Sequence, residues 1–175
     1  MAEDTPPPPP PPPAGDDAAN APHIASLAQY IKDLSVENPS SPAVFQWKTQ
    51  PRVDVNFNIG VNAVADGVRE VVLKVEASAK SDEGVHFVVD LTYAGLYGFQ
   101  NIAEDQLHAW FHVDAPGFLF PFARRIIADA IGDAGFPPLM IDGIDFRRAY
   151  VEQIQAQQGG TNGGSPAEPA PTADA

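Results

Sequence analysis

Two histidines four residues apart, His108 and His112, come closer to metal chemistry than any other spacing in this 175-residue chain. On a helix they would share a face, and Asp105 or Asp114 could add a carboxylate. Two histidines fall short of a structural zinc site, and Pro116 and Gly117 follow at once, so partly exposed histidines at an interface are the expectation and no metal is assigned. Asp142 and Asp145 flank Gly143, a pattern that serves turn chemistry rather than acid–base catalysis. The arginine pairs 124–125 and 147–148 suit carboxylate pairing or a snorkelling surface role. Ser35, Ser40 and Ser41 sit in strand-end or turn context, without a nucleophile elbow. The sequence contains no Walker loop, no G-x-G-x-x-G, no G-x-S-x-G and no H-E-x-x-H. Cysteine is absent, which removes Cys–His catalysis and disulfides and fits a reducing cytoplasm. These residues describe a binding protein rather than an enzyme, and no cofactor is assigned. A small metal-dependent enzyme built on His108 and His112 is the rival reading.

Charge narrows the class of partner. The formal net charge is −13, from 10 Lys and Arg against 23 Asp and Glu. Six of those acids (Glu3, Asp4, Asp16, Asp17, Glu168 and Asp174) lie in the two ends, which leaves the middle at about −7. Such a field repels phosphate backbones, so nucleic acid is not an expected partner, and a basic protein surface is. Residues 1–22 carry eight consecutive prolines and residues 159–175 are Gly, Pro, Ala and acid, so both are expected to be disordered tails around one domain at 23–158. Glu3 and Asp4 stand where a signal peptide would carry Lys or Arg, and no stretch approaches the ~20 apolar residues needed to cross a bilayer. A soluble, cytoplasmic protein is expected.

Four strands must position whatever the middle binds. Residues 27–36 read as a first strand, ending at a turn-like Asn38-Pro39-Ser40-Ser41-Pro42. In residues 52–64, Val53, Val55, Phe57, Ile59 and Val61 alternate with polar or glycine neighbours, the pattern of a half-buried strand. Residues 68–79 and 85–97 continue the alternation, with short links that imply an antiparallel meander, whereas the longer 37–51 link implies a crossover. Helical periodicity begins at Phe122, with Pro121 in the first turn and Gly135 at the stop, and returns as Phe146, Tyr150, Val151 and Ile154. The expected class is therefore α+β: a four-stranded antiparallel sheet with one long and one short C-terminal helix packed on one side. Trp110, Phe111, Phe118 and Phe120, ahead of that helix, offer more aromatic surface than one small domain needs; it is buried against another subunit or forms a binding groove.

Several strings then resemble a known family. Leu119-Phe120-Pro121-Phe122-Ala123-Arg124 with Gly135-Phe136-Pro137 is similar to the helix signature of SecB export chaperones. Glu70-Val71-Val72-Leu73-Lys74-Val75 resembles the third SecB strand. Asp33-Leu34-Ser35-Val36-Glu37-Asn38-Pro39 with Pro42-Ala43-Val44-Phe45 resembles the first strand and the start of the crossover. The strings occur in SecB order over residues 27–157. The resemblance implies an ATP-independent chaperone that holds unfolded secretory precursors in surface grooves. It further implies a homotetramer, a dimer of dimers with long helices sandwiched between sheets. An acidic sheet face would dock the SecA ATPase, through a SecA element whose zinc belongs to SecA. A general SecB-like holdase that does not serve SecA is the alternative.

Carried over by position, the SecA-docking residues are Asp33, Glu37, Val88 and Asp90, the last an Asp where the family carries Glu. Asp33 and Glu37 are an even number of residues apart, as are Val88 and Asp90, so each pair shares a strand face. For the client groove the candidates are Phe45, Trp47, Tyr97, Tyr150 and Ile154, aromatic and apolar walls suited to unfolded chain.

Overall fold

A computed structural model describes residues 21–160, with side chains as far as Ala156. Strand β1 (His23–Glu37) leads through a 3-10 turn (Ala43–Gln46) to β2 (Arg52–Ala65), β3 (Val68–Ser81) and β4 (Gly84–Gln100). Two helices follow, α1 (Glu104–Asp133) and α2 (Phe146–Gly160). The sheet is antiparallel in the order β1-β4-β3-β2, so the link after β1 crosses from one edge to the other while β2, β3 and β4 form the expected meander. α2 reaches Gly160, two residues beyond the expected domain limit; the other tail residues, 1–20 and 161–175, lie outside the described residues.

The strand alternation sorts the sheet into two unlike faces. Inward go Val71, Leu73, Val75, Ala77 and Ala79 of β3 with Phe87, Val89, Leu91 and Tyr93 of β4, all in one core cluster with α1. Glu70, Lys74, Glu76, Ser78, Val88, Asp90 and Thr92 point outward between them. A helix is about 10 Å across and strands are about 4.8 Å apart, so one helix covers little more than two strands. Consequently the inner faces of both edge strands stay open: Ile31 and Leu34 on β1 and Val53, Val55 and Phe57 on β2 are 37–47% exposed.

The long helix starts far earlier than its periodicity suggested. Trp110, Phe111, Phe118 and Phe120 belong to α1, and Pro116 and Pro121 lie inside it rather than at its start. Leu107, Phe111, Ala115, Leu119, Ala123, Ile127 and Ile131 form a buried line with a step of four residues. Because four residues advance the chain about 400°, that line drifts by about 40° per step and winds around the helix. Each interior proline removes a helical hydrogen bond. Pro116 offsets this by being fully buried, whereas Pro121 is exposed. Glu104 and Asp105 complement the dipole at the first turn, and Phe136 N–H donates to the Ile131 carbonyl at 3.2 Å where α1 ends.

One polar cluster ties the outer face together. Glu70, 8% exposed, accepts from Tyr30 Oη at 2.6 Å, from Lys32 Nζ at 2.9 Å and from Asn62 Nδ2 at 3.0 Å, joining β1, β2 and β3. Those donors, Tyr30 first, hold the Glu70 carboxyl at about 2 against an ordinary 4.5. A depressed carboxyl stabilises the fold above its unfolded value and loses that contribution as pH falls toward the folded one. Glu70→Gln should therefore lower the urea stability by ~1–3 kcal/mol at pH 7, with the deficit shrinking as pH falls from about 4.5 toward 2. Equal stability of both proteins at pH 7 would show that the cluster contributes nothing.

Candidate functional site

Strand register assembles the outer acidic surface as a grid. One row across the four strands reads Glu37, Val88, Ser78, Asp54; the next reads Ser35, Asp90, Glu76, Asn56; the third reads Asp33, Thr92, Lys74, Asn58. The structure thus brings Asp33, Glu37, Val88 and Asp90 into one patch. A bulge makes this possible. Ile31 pairs with Tyr93 on the inner face, but the register slips at Lys32, so Asp33 pairs with Thr92 and emerges outside. Without that extra residue Asp33, Ser35 and Glu37 would all turn inward. Lys74 sits within the grid, its ammonium 2.7 Å from Glu76 Oε1 and 3.0 Å from Asp90 Oδ2. Those two carboxylates, Glu76 foremost, raise the proton affinity of Lys74, so it stays charged.

The apolar opening lies on the inner side, along β2. A cavity of about 420 Å³ is lined by Phe45, Trp47, Val53, His86, Phe136 and Leu139 among others. Val53 and Leu139 are shared with a second cavity of about 370 Å³ over Val55, Phe57, Met140 and Ile144. Phe57 leads on to a third, of about 190 Å³, beside His112, Tyr150 and Gln153. The three follow one another as a line of openings, here called the channel, along the inner edge of β2, about 20 Å from Val53 to Ile59 at ~3.3 Å per residue.

Two glycines seat the aromatic residues at its head. Gly84 (φ +145°) has Trp47 Cη2 2.9 Å from where a Cβ would stand, and Gly135 (φ +91°) has Phe45 Cε1 at 3.1 Å. Phe45 also packs on Phe136 at 5.6 Å between ring centres, and Trp47 stands edge-on to the buried His86 at 5.0 Å.

Of the five groove candidates, Phe45, Trp47 and Tyr150 line this channel, at its two ends. Half-buried Ile154 is not among its lining residues. Tyr97 is placed elsewhere: it is 2% exposed, packs on Trp110 at 5.0 Å and lies toward β1, beside a cavity lined by Ile24, Gln29, Phe118 and Phe122. Burial pushes its hydroxyl up to about 12. Val53, Val55, Phe57, Leu139, Met140 and Ile144 line the channel without being among the groove candidates the sequence offers. Their signal was the inner alternation of an edge strand, opposite an apolar run without period at 139–141. His108 and His112 do share a helical face, stacked at 4.3 Å, with His108 Nδ1 2.9 Å from Tyr150 Oη. Among the described residues no group of three His, Cys, Asp or Glu could hold a metal ion, and no helix is long and apolar enough to cross a membrane.

Gly84→Ala should strain the turn by ~1–2 kcal/mol and drive Trp47 from its seat. In a Trp110→Phe background, Trp47 fluorescence should shift relative to the parent; an unchanged spectrum would show that the glycine does not position the ring.

Comparison with known proteins gives this architecture a family. The family described as preprotein translocase subunit SecB matches residues 17–157. A protein-export protein SecB of Sphingopyxis alaskensis is 50% identical over 145 residues, covering 83% of each chain. That of Zymomonas mobilis is 52% identical over 141 residues, covering 81% of this chain and 86% of its own. Among solved structures, a SecB-like chaperone of Mycobacterium tuberculosis in complex with a ChAD peptide from an antitoxin shares the fold. Its TM-score is 0.58 at 17% identity, over 73% of this chain and 93% of its own. A four-stranded antiparallel sheet with two C-terminal helices, and half its residues in common with curated export proteins over most of its length, place this chain in the SecB family.

Proposed function

We propose that this chain is an ATP-independent holdase that keeps unfolded secretory precursors extended and delivers them to the SecA motor. The carrying observation is the separation of two surfaces. The apolar channel runs along the inner margin of β2, whereas the carboxylate grid lies on the outer face of the sheet. A client in the first leaves the second open, which delivery requires. An extended segment of about six residues fits the ~20 Å channel, with alternate side chains on Val53, Val55 and Phe57 and with the free edge of β2 for backbone pairing. Such recognition reads apolar character and unfolded backbone rather than sequence. The sequence contains no Walker or G-x-G-x-x-G loop to cradle nucleotide phosphates, which supports independence from ATP.

The acidic grid suits a basic docking element. Asp33 and Glu37 are exposed, with no ion pair among the described residues, and Val88 gives a half-buried apolar centre. Assembly as a dimer of dimers fits a further surface: Phe118 and Phe122, one turn apart on α1, are 58% and 47% exposed and would be covered by a second copy.

Replacing Asp33, Glu37 and Asp90 together by Lys should weaken SecA binding by a factor of roughly 30 or more, with precursor affinity unchanged within about twofold. Conversely, Phe45→Ala with Val55→Ser should lower affinity for a fluorescently labelled unfolded precursor by about tenfold and spare SecA. Both bindings falling together in either variant would contradict separate surfaces. Light scattering should return four chains; a stable monomer at micromolar concentration would remove the assembly.

A further inference from the structure

Resting on the reading of the outer face as the SecA-docking surface, we infer that Lys74 is an intramolecular competitor for that face, occupying in the free chain the place that a cationic side chain of the partner takes on docking. The register explains why a cation is there. Glu76 and Asp90 are directly opposed on β3 and β4, and like charges in that position repel. Lys74, one row away on β3, spans both, at 2.7 Å and 3.0 Å.

The grid therefore holds two kinds of carboxylate. Asp33 and Glu37 are open. Asp90 is closed on both sides: Oδ2 is held by Lys74, and Oδ1 is out of contact with solvent and has no hydrogen-bond partner among the described residues. A partner that reaches Asp90 must share or displace the ammonium. Neighbouring cations do not play this part, because Lys32 is committed to Glu70 at 2.9 Å and Arg52 to Asp54 at 3.2 Å.

Displacement is easy, since Lys74, Glu76 and Asp90 are 41%, 51% and 33% exposed and exposed pairs hold weakly. Its four-carbon stem lets the ammonium swing aside, yet the charge stays within a Debye length of ~8 Å and opposes a basic partner. Docking thus begins on Asp33 and Glu37 and is completed at Asp90 as Lys74 leaves. The lysine sets how strongly basic a partner must be, and raises the threshold against weakly basic proteins.

The test measures SecA affinity and association rate against salt, with an unfolded precursor as the control ligand. Lys74→Met keeps the apolar stem and should bind SecA roughly three- to tenfold tighter, mainly through faster association, with precursor affinity unchanged. Lys74→Arg should stay near the parent. The pair Lys74→Met with Glu76→Gln restores the parent's net charge and removes the carboxylate repulsion while still freeing Asp90, so it should remain about two- to fivefold tighter than the parent. Unchanged or weaker SecA binding by Lys74→Met overturns the inference. So does a double variant equal to the parent, because net charge alone would then explain the gain. If reversal of Asp33, Glu37 and Asp90 leaves SecA binding intact, the docking reading itself fails, whatever Lys74→Met does.

Discussion

Leu73, Leu91, Leu119 and Ile127 meet in one buried cluster between α1 and the inner faces of β3 and β4, and this contact dictates what every other surface is free to do. Truncating such a residue to Ala costs ~2–5 kcal/mol, a large part of the 5–15 kcal/mol that holds an ordinary domain together. With the helices on one face, the opposite face has no partner among the described residues and must be largely polar to stay wet. The margins of the covered face are reached only in part, which leaves Val53, Val55 and Phe57 in shallow exposure beside β2. An apolar channel and an acidic plate are thus two outcomes of the same one-sided packing.

Strand periodicity made the sheet legible. The alternation in 52–64 and 68–79 fixed both strands to within two residues, and the short links fixed their antiparallel order. The helix was legible only in its second half. Pro116, Gly117 and Pro121 read as breakers, and the step-of-four buried line drifts around the axis, so no single stripe persists over thirty residues. Tertiary burial of Leu107, Phe111 and Ala115 against the sheet outweighed local propensity. The strand signal of β1 starts four residues late because His23, Ala25 and Ser26 carry none and owe their conformation to pairing with β4.

Site residues divided along the same line. Asp33, Glu37, Val88 and Asp90 could be grouped by parity because both pairs lie within regular stretches; the bulge at Lys32 that turns the first pair outward has no mark in the sequence. Channel residues needed the fold. Phe45 and Trp47 join Tyr150 only through β2, and Tyr97, equally aromatic, falls on the far side of α1. An aromatic residue in a strand records that it packs, not against what. The seats beneath Phe45 and Trp47 were visible as Gly135 and Gly84, but only the backbone shows that an aromatic ring fills each space.

Independence of the channel and the plate is the central claim, and it is tested most directly by titrating SecA onto the chain with and without a saturating unfolded precursor. Two surfaces on opposite sides of one sheet predict a ternary complex and a SecA affinity equal within about twofold in the two titrations. Mutual exclusion, with precursor displaced as SecA binds, would contradict the account.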